Sequence, residues 1–176
     1  MSTTETQAVP AGTWALDPIH STVGFAVGYM AGTFTGGFDD FSVSITDGLL
    51  TGSAKVASVQ VKDSDLAAHL QSPDFFDAQR HPELVFESTT IERTGNRIRI
   101  EGKITIKGHT EPVEITGDIT DTIADPYGGE RFGLALAGVI RRDEFGVSWN
   151  NPLPNGEPAL SGDVTLIAEL QLVKQS

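Results

Sequence analysis

Ile98-Arg-Ile-Glu-Gly-Lys-Ile-Thr-Ile106 carries the clearest structural signal in the chain, because its isoleucines alternate with charged and polar residues. Successive side chains of a β-strand point to opposite faces, so this period of two predicts a strand with one buried and one solvated face. Residues 110–119 repeat the pattern, and Lys107-Gly108-His109 between them offers a glycine for a tight turn. Together the two segments predict a β-hairpin.

The same alternation recurs along most of the chain. Further candidate strands are 13–16, 21–29, 33–38, 41–47, 51–61, 83–92, 131–142 and 164–172. Nineteen glycines and nine prolines, among 176 residues, suit a fold with many turns. The sequence therefore predicts a single all-β antiparallel domain of roughly eight to ten strands over residues 11–176.

Residues 63–81 interrupt the alternation. Asp63 or Ser64 can cap a short helix, and Ser72-Pro73-Asp74 is typical of the start of a second one, which His81-Pro82 would end. We expect one or two short helices here, with Phe75 and Phe76 closing one end of a barrel.

Charge and hydropathy argue against nucleic-acid binding, a membrane-spanning helix and a secretory signal. A formal net charge of -12 would repel a phosphate backbone, so nucleic acid is not an expected partner. No segment approaches the eighteen or so consecutive apolar residues of a membrane-spanning helix. Residues 1–10 lack the basic and apolar parts of a secretory signal, so we expect a disordered tail and a cytoplasmic protein.

Motifs for catalysis or metal binding are not found. The chain has no cysteine, no G-x-S-x-G, no P-loop and no H-E-x-x-H. The histidines at 20, 69, 81 and 109 lack the spacing of metal ligands, so neither a metal site nor an enzyme activity is expected. His69 and His109 are interpreted as solvated surface residues.

Two segments, 23–29 and 132–140, alternate large apolar residues with glycine, alanine or valine and carry no charge. Strands without a charged face are covered on both sides. Internal packing and a homodimer interface are the two explanations, and the sequence leaves both open.

Four blocks of the sequence, in order, resemble the YceI-like, polyisoprenoid-binding family. They are Trp14-Ala-Leu-Asp-Pro-Ile-His-Ser-Thr-Val-Gly-Phe25, the segment from Leu70 to Phe86, the segment from Gly102 to Val113, and Arg142-Asp-Glu-Phe-Gly146. The resemblance implies a lipocalin-like, eight-stranded extended barrel, often a homodimer, that binds polyisoprenoids or other long amphiphiles in an apolar tunnel.

We therefore predict a carrier that sequesters a polyisoprenoid, an isoprenoid quinone or a fatty-acid-like ligand in the barrel interior, without another cofactor. The candidate lining residues are the large apolar ones of the predicted inner faces: Phe25, Val27, Phe75, Phe76, Phe86, Ile104, Ile106, Leu134, Leu136 and Trp149. His20 and Arg142 are candidates for a headgroup contact, although a salt bridge to a nearby carboxylate is the commoner use of such an arginine. An enzyme acting on a hydrophobic substrate around His20, and a structural or stress-response module without a ligand, are the alternatives.

Overall fold

A computed structural model describes residues 8–175 of the chain. Within these residues the strands and the one α-helix are β1 Thr13–Leu16, β2 Thr22–Tyr29, β3 Gly32–Phe38, β4 Phe41–Thr46, β5 Leu49–Lys55, β6 Val59–Gln60, α1 Ser64–Gln71, β7 Glu83–Thr94, β8 Arg97–Ile106, β9 His109–Ile119, β10 Ile123–Ala124, β11 Glu130–Arg141 and β12 Leu160–Lys174. Short 3₁₀ turns cover Pro18–His20, Val56–Ser58 and Arg142–Phe145.

The strands form an eight-stranded antiparallel barrel, which confirms the predicted fold. The ring runs β12-β11-β9-β8-β7-β5-β4-β1, and β1 pairs with β12 to close it. β12 is long enough to have two neighbours on one edge: Leu172–Lys174 pair with β1, and residues before them pair with β2. The hairpin β2–β3 therefore extends the wall beyond the closed ring, and β6 pairs with the free edge of β3.

The predicted hairpin is confirmed as β8 and β9. Ile98, Ile100, Ile104 and Ile106 are buried inside the barrel, whereas the charged residues between them face outward. Lys107 and Gly108 both have positive φ, 53° and 78°, which is the conformation of the tight turn favoured between twisted antiparallel strands.

Of the one or two short helices expected over residues 63–81, one forms. α1 begins after Asp63, whose side chain accepts a hydrogen bond from the backbone N–H of Asp65. Residues 72–80 form a series of turns instead, because Asp77 adopts a left-handed φ of 53° that a continuous right-handed helix does not allow. Among the described residues, no helical segment has the length and hydrophobicity that a membrane crossing requires.

The N-terminal segment differs from the expected tail over residues 8–10. Ala8 and Val9 are buried against the barrel, and the Trp14 indole N–H donates to the carbonyls of Pro10 and Ala11. Residues 1–7 of the predicted tail lie outside the described part of the chain.

One end of the barrel is densely packed. Trp14 meets Phe132 edge to face with ring centroids 4.7 Å apart, and Ile45 and Leu172 beside them are fully buried. Aromatic side chains bury large apolar areas, so this cluster contributes strongly to the stability of the closed ring.

Replacing Trp14 with alanine should lower the free energy of unfolding by about 3–5 kcal/mol, because it opens a cavity that the ring of strands cannot collapse to fill. Tyr127→Ala, which removes an aromatic ring that is 86% exposed, serves as the control and should change it by less than about 0.5 kcal/mol. Urea denaturation measures both, and equal losses would contradict the assignment of Trp14 to the core.

Candidate functional site

An apolar cavity of about 410 Å³ lies inside the barrel at the end covered by α1. Inward-facing positions of β2, β3, β8 and β12 form its walls, and α1 with the turns after it forms its cover. Besides the Trp149 indole, only four of its lining side chains carry a polar atom: Tyr29, Asp63, His69 and Arg142. A space of this size and character suits an apolar ligand.

A second cavity, of about 140 Å³, adjoins the first. The two share wall residues Phe38, Leu84, Ile104 and Leu166, and the lining of the second is almost wholly apolar. The hollow space therefore continues from the α1 end toward the middle of the barrel.

The long strands give the order of these spaces along the barrel. On β11, Ile140 lines the large cavity, Leu136 lines the small one, and Phe132 belongs to the packed end. On β12, Val164 and Leu172 occupy the corresponding first and last positions. The interior is thus hollow from the α1 end to the middle and filled beyond it.

Two groups of aromatic rings border the large cavity. Phe25 lies 5.9 Å from both Phe34 and Phe38 and 6.3 Å from Phe76, between ring centroids. The second group is formed by His69, whose ring packs edge to face at 4.9 Å from both Phe75 and Trp149. These rings connect α1 and the turn after it to the barrel wall and to the loop that follows β11.

Two glycines make room for lining aromatics. A Cβ atom at Gly36 would lie 2.6 Å from the ring of Phe25, and one at Gly102 would lie 2.6 Å from the ring of Phe86. A larger residue at Gly36 would press on the Phe25 ring, and one at Gly102 would clash with the backbone carbonyl of Glu87 as well as with the Phe86 ring, so the position of both rings depends on these glycines.

The tip of the β8–β9 hairpin holds the two covering segments together. The Lys107 ammonium donates to the carbonyl of Pro73 at 2.6 Å and to that of Gly146 at 3.1 Å. Asn150 adds a pair of hydrogen bonds to the backbone of Leu160. The loop between β11 and β12 is therefore fixed at both ends.

Arg142 is a buried cation that lines the large cavity. Its guanidinium donates to the carbonyls of Val147, Trp149, Ser161 and Leu160 at 2.9, 2.8, 2.8 and 3.3 Å. None of the ion pairs within residues 8–175 includes it. Burial lowers the pKa of Arg142, an effect that the charge of the nearby Asp143 offsets only in part.

His20 lies outside both cavities. It donates from Nδ1 to Asp17 at 2.7 Å, and its side chain is 60% exposed. Arg131 forms ion pairs with both Asp17 and Asp125. Asp125 also accepts hydrogen bonds from the backbone N–H groups of Tyr127 and Gly129. The cluster connects the start of β11 to the 3₁₀ turn Pro18–His20 on the surface of the barrel.

The structure distributes the predicted lining residues along the barrel. The large cavity is lined by Phe25, Val27, Phe75, Phe76, Ile104, Ile106 and Trp149, together with Arg142. Phe86 and Leu136 line the small cavity. Leu134 is buried in the packed end and lines neither.

Several lining residues were missed from the sequence. Phe34 and Phe38 are the large apolar residues on one face of β3 and alternate with threonine and glycine on the other, so the period of two could have identified them. His69 is not the solvated residue we expected, because it lines the cavity and its side chain is only 33% exposed. Its Nε2 forms a hydrogen bond of 3.0 Å with a carboxylate oxygen of Asp74. Its position three residues after Leu66 places both on one helix face.

The fold and the cavity define this protein as an antiparallel, lipocalin-like barrel with an apolar interior. The model of the YceI-like domain matches residues 14–172, so the chain belongs to the YceI-like family. The chain is 30% identical to Protein YceI of Escherichia coli O157:H7 over 66% of this chain, and the match spans 59% of that relative's length.

Solved structures share the fold. BcnA of Burkholderia cenocepacia has a TM-score of 0.76 at 24% identity, covering 89% of this chain and 98% of its own. A polyisoprenoid binding domain from Saccharophagus degradans has a TM-score of 0.68 at 11% identity, covering 92% of this chain and 98% of its own. At these identities the likeness establishes the barrel fold.

Arg142→Met should lower the free energy of unfolding by about 2–4 kcal/mol, because it leaves buried carbonyls without donors. Amide hydrogen exchange should accelerate over residues 147–161, where those carbonyls lie. Arg141→Met is the matched control, since Arg141 is exposed and its one ion pair within residues 8–175 is with Asp143 at 3.6 Å. Equal effects of the two substitutions would show that Arg142 does not fix the loop.

The Asp17–Arg131–Asp125 cluster predicts acid sensitivity. The hydrogen bond from His20 is the largest cause that holds the pKa of Asp17 below its ordinary value, and the hydrogen bond from Arg131 adds to it. The pKa of Asp125 is lowered by hydrogen bonds from the backbone N–H groups of Gly129 and Tyr127. A carboxylate with a depressed pKa stabilises the folded state above the unfolded pKa, near 4, and this stabilisation is lost as the pH falls through the folded value.

Stability should therefore fall below about pH 4, and Asp125→Asn should weaken that dependence. Exposed Asp163→Asn should leave the profile unchanged. Midpoints of urea unfolding between about pH 2 and pH 7 measure how stability depends on pH. An identical dependence for wild type and Asp125→Asn would contradict a role for the cluster in acid sensitivity.

Proposed function

We propose that this protein binds a long apolar or amphiphilic molecule, such as a polyisoprenoid, an isoprenoid quinone or a fatty-acid-like compound, and sequesters its hydrocarbon chain inside the barrel without catalysis. The observation that carries the proposal is the adjoining pair of apolar cavities, of about 410 and 140 Å³, inside a closed barrel. A module without a ligand would be expected to fill this space with side chains.

The driving force is the removal of apolar surface from water. At about 25 cal/mol per Å², burial of a few hundred Å² of hydrocarbon contributes several kcal/mol, from which the loss of ligand freedom is subtracted. The structural similarity to the polyisoprenoid binding domain from Saccharophagus degradans supports the same class of ligand.

Arg142 is the proposed headgroup contact. Its Nη2 makes one hydrogen bond within the described residues and so has a second N–H to offer. A carboxylate, a phosphate or a quinone carbonyl near this group would accept that hydrogen bond, and an anionic oxygen would also compensate the buried charge. His20, on the outer surface, is not part of the proposed site.

A homodimer is proposed from the outer face of β11. Ala137 and Val139 point outward opposite Ile167 and Thr165 of β12, and Val139 is 59% exposed. Internal packing therefore does not cover this side. On a chain with a net charge of -12, two copies repel least where an uncharged patch such as this one meets its own copy.

Native mass spectrometry of the purified protein, followed by lipid extraction, tests both proposals. We expect an adduct with the mass of an isoprenoid or acyl compound, and the mass of two subunits. Delipidated protein should then take up added fatty acids or prenols and release a polarity-sensitive fluorescent probe. Failure to take up any of these compounds would contradict the carrier function, and a monomer mass at micromolar concentration would contradict the dimer.

A blocking substitution locates the binding site. Leu166 lines both cavities, so Leu166→Trp should weaken uptake about tenfold to a hundredfold by filling the space where they join. Leu49→Trp adds the same atoms at a side chain that is 49% exposed and should bind as wild type. Unchanged uptake by folded Leu166→Trp would place the ligand elsewhere.

A further inference from the structure

We propose that the rim of the large cavity docks on the surface of a lipid bilayer, so that the hydrocarbon chain of a ligand passes between bilayer and barrel without crossing water. This docking rests on the proposed function and adds a partner to it. It follows from where the cavity reaches the surface, how charge is distributed around that place and which apolar side chains are exposed there.

The large cavity reaches the surface beside the tip of the β2–β3 hairpin. Tyr29, at the end of β2, and Asp63, just before α1, both line the cavity and are also exposed to solvent. Trp149, in the loop after β11, lines the cavity and is partly exposed. These three residues define the mouth of the cavity.

Two of the segments that border the mouth carry no charge. Residues 21–38, which contain β2 and β3, and residues 145–156, which lie between β11 and β12, include no Asp, Glu, Lys or Arg, although the chain has 24 acidic and 12 basic residues. The structure joins the hairpin to the end of that loop, since the Met30 N–H donates to the carbonyl of Ala159 at 2.8 Å. The two neutral segments therefore lie side by side at the mouth.

Acidic residues lie elsewhere around the barrel. Asp63, Asp65 and Asp74 are on the α1 side of the mouth, and Asp47 and Asp125 are near the packed end. A charged side chain loses hydration when it approaches an apolar phase, and this costs far more than the approach of a neutral one. The hairpin side of the mouth is therefore the part of this surface that a bilayer accepts most readily.

The tip of the hairpin also exposes apolar side chains. Met30 is 60% exposed and Tyr29 is 39% exposed. Tyrosine and tryptophan favour the boundary between hydrocarbon and water, because each has an apolar body and a polar end, and Trp149 lies across the same mouth. A protein interface takes about 20 to 30 residues a side, which is more than this tip offers, whereas a few such side chains are enough for reversible contact with a bilayer.

Docking changes how an apolar ligand can move. Each methylene group that enters water makes the exposed state about fourfold rarer, so a long chain leaves the barrel slowly when it must pass through water. A mouth in contact with a bilayer removes this step, since the chain moves from one apolar environment to another. The transfer rate then depends on encounters between protein and bilayer.

The test measures the transfer of a fluorescent fatty acid from loaded protein to phosphatidylcholine vesicles that contain a quencher. If the mouth docks on the bilayer, the transfer rate should rise in proportion to the vesicle concentration. Release through water is limited by dissociation from the barrel, so it gives a rate that the vesicle concentration does not change.

Met30→Asp places a charge at the tip of the hairpin and should lower the vesicle-dependent rate about tenfold. The backbone tolerates this substitution, because Met30 has a φ of 50° and aspartate adopts the left-handed conformation more readily than most residues. Met30 lies outside the lining of both cavities, so the affinity for the fatty acid in solution should equal that of the wild type.

Leu49→Asp is the matched control. It adds the same charge at an apolar side chain that is 49% exposed, in the β4–β5 hairpin near the packed end, and should transfer as wild type. If Met30→Asp does not fold, Ala31→Asp tests the same tip, because Ala31 is the next residue of the turn and is exposed.

The outcomes separate the docking from the carrier function. A rate that rises with vesicle concentration and falls in Met30→Asp but not in Leu49→Asp supports the docking. A rate independent of vesicle concentration overturns it and leaves the carrier function intact. A vesicle-dependent rate that Met30→Asp does not lower, or a dimer that Met30→Asp dissociates, overturns the assignment of the tip to a bilayer, the latter in favour of a second copy. Failure of the wild type to bind any fatty acid or prenol overturns the proposed function itself.

Discussion

The structure depends on the backbone pairing of β12. Along one edge this strand pairs continuously with β11, and along the other it pairs first with β2 and then, at its last residues, with β1. Because two strands share one edge, the ring can close around β1 while the hairpin β2–β3 diverges from it. Side chains fill the closed end, whereas the end bounded by β2 and β3 remains hollow.

How much of this could be predicted from the sequence differs between elements. The alternation of Ile98 to Ile106 sufficed for the position and facing of β8, because parity is a local property of an extended chain. The pairing of both β1 and β2 with one edge of β12 could not be predicted, since it depends on contacts between strands that are distant in the sequence. Likewise Leu134 and Leu136 have the same parity and chemistry, yet one is in the packed end and the other lines a cavity.

The polar residues show the same limit. Arg142 and His20 were equal candidates for a headgroup contact, but only Arg142 lies at the cavity. Its neighbour Arg141 pairs with the carboxylate of Asp143, whereas the hydrogen bonds of Arg142 within the described residues go to backbone carbonyls. The two arginines are adjacent in sequence and opposite in facing, so the direction of one strand end determines which becomes the buried charge.

The most densely packed core and the hollow lie at opposite ends of the barrel. Phe25, Ile104 and Leu166 line the hollow and lack the van der Waals contacts that a filled interior would give them, which lowers the stability of the folded state. The barrel retains its shape there because hydrogen bonds from Lys107 and Arg142 hold the covering segments, which are polar interactions independent of the filling of the interior. A chain entering the cavity would restore the missing apolar contacts without replacing any of those bonds. Ligand binding and cohesion of the cover would therefore be favourable together, as the proposed function requires.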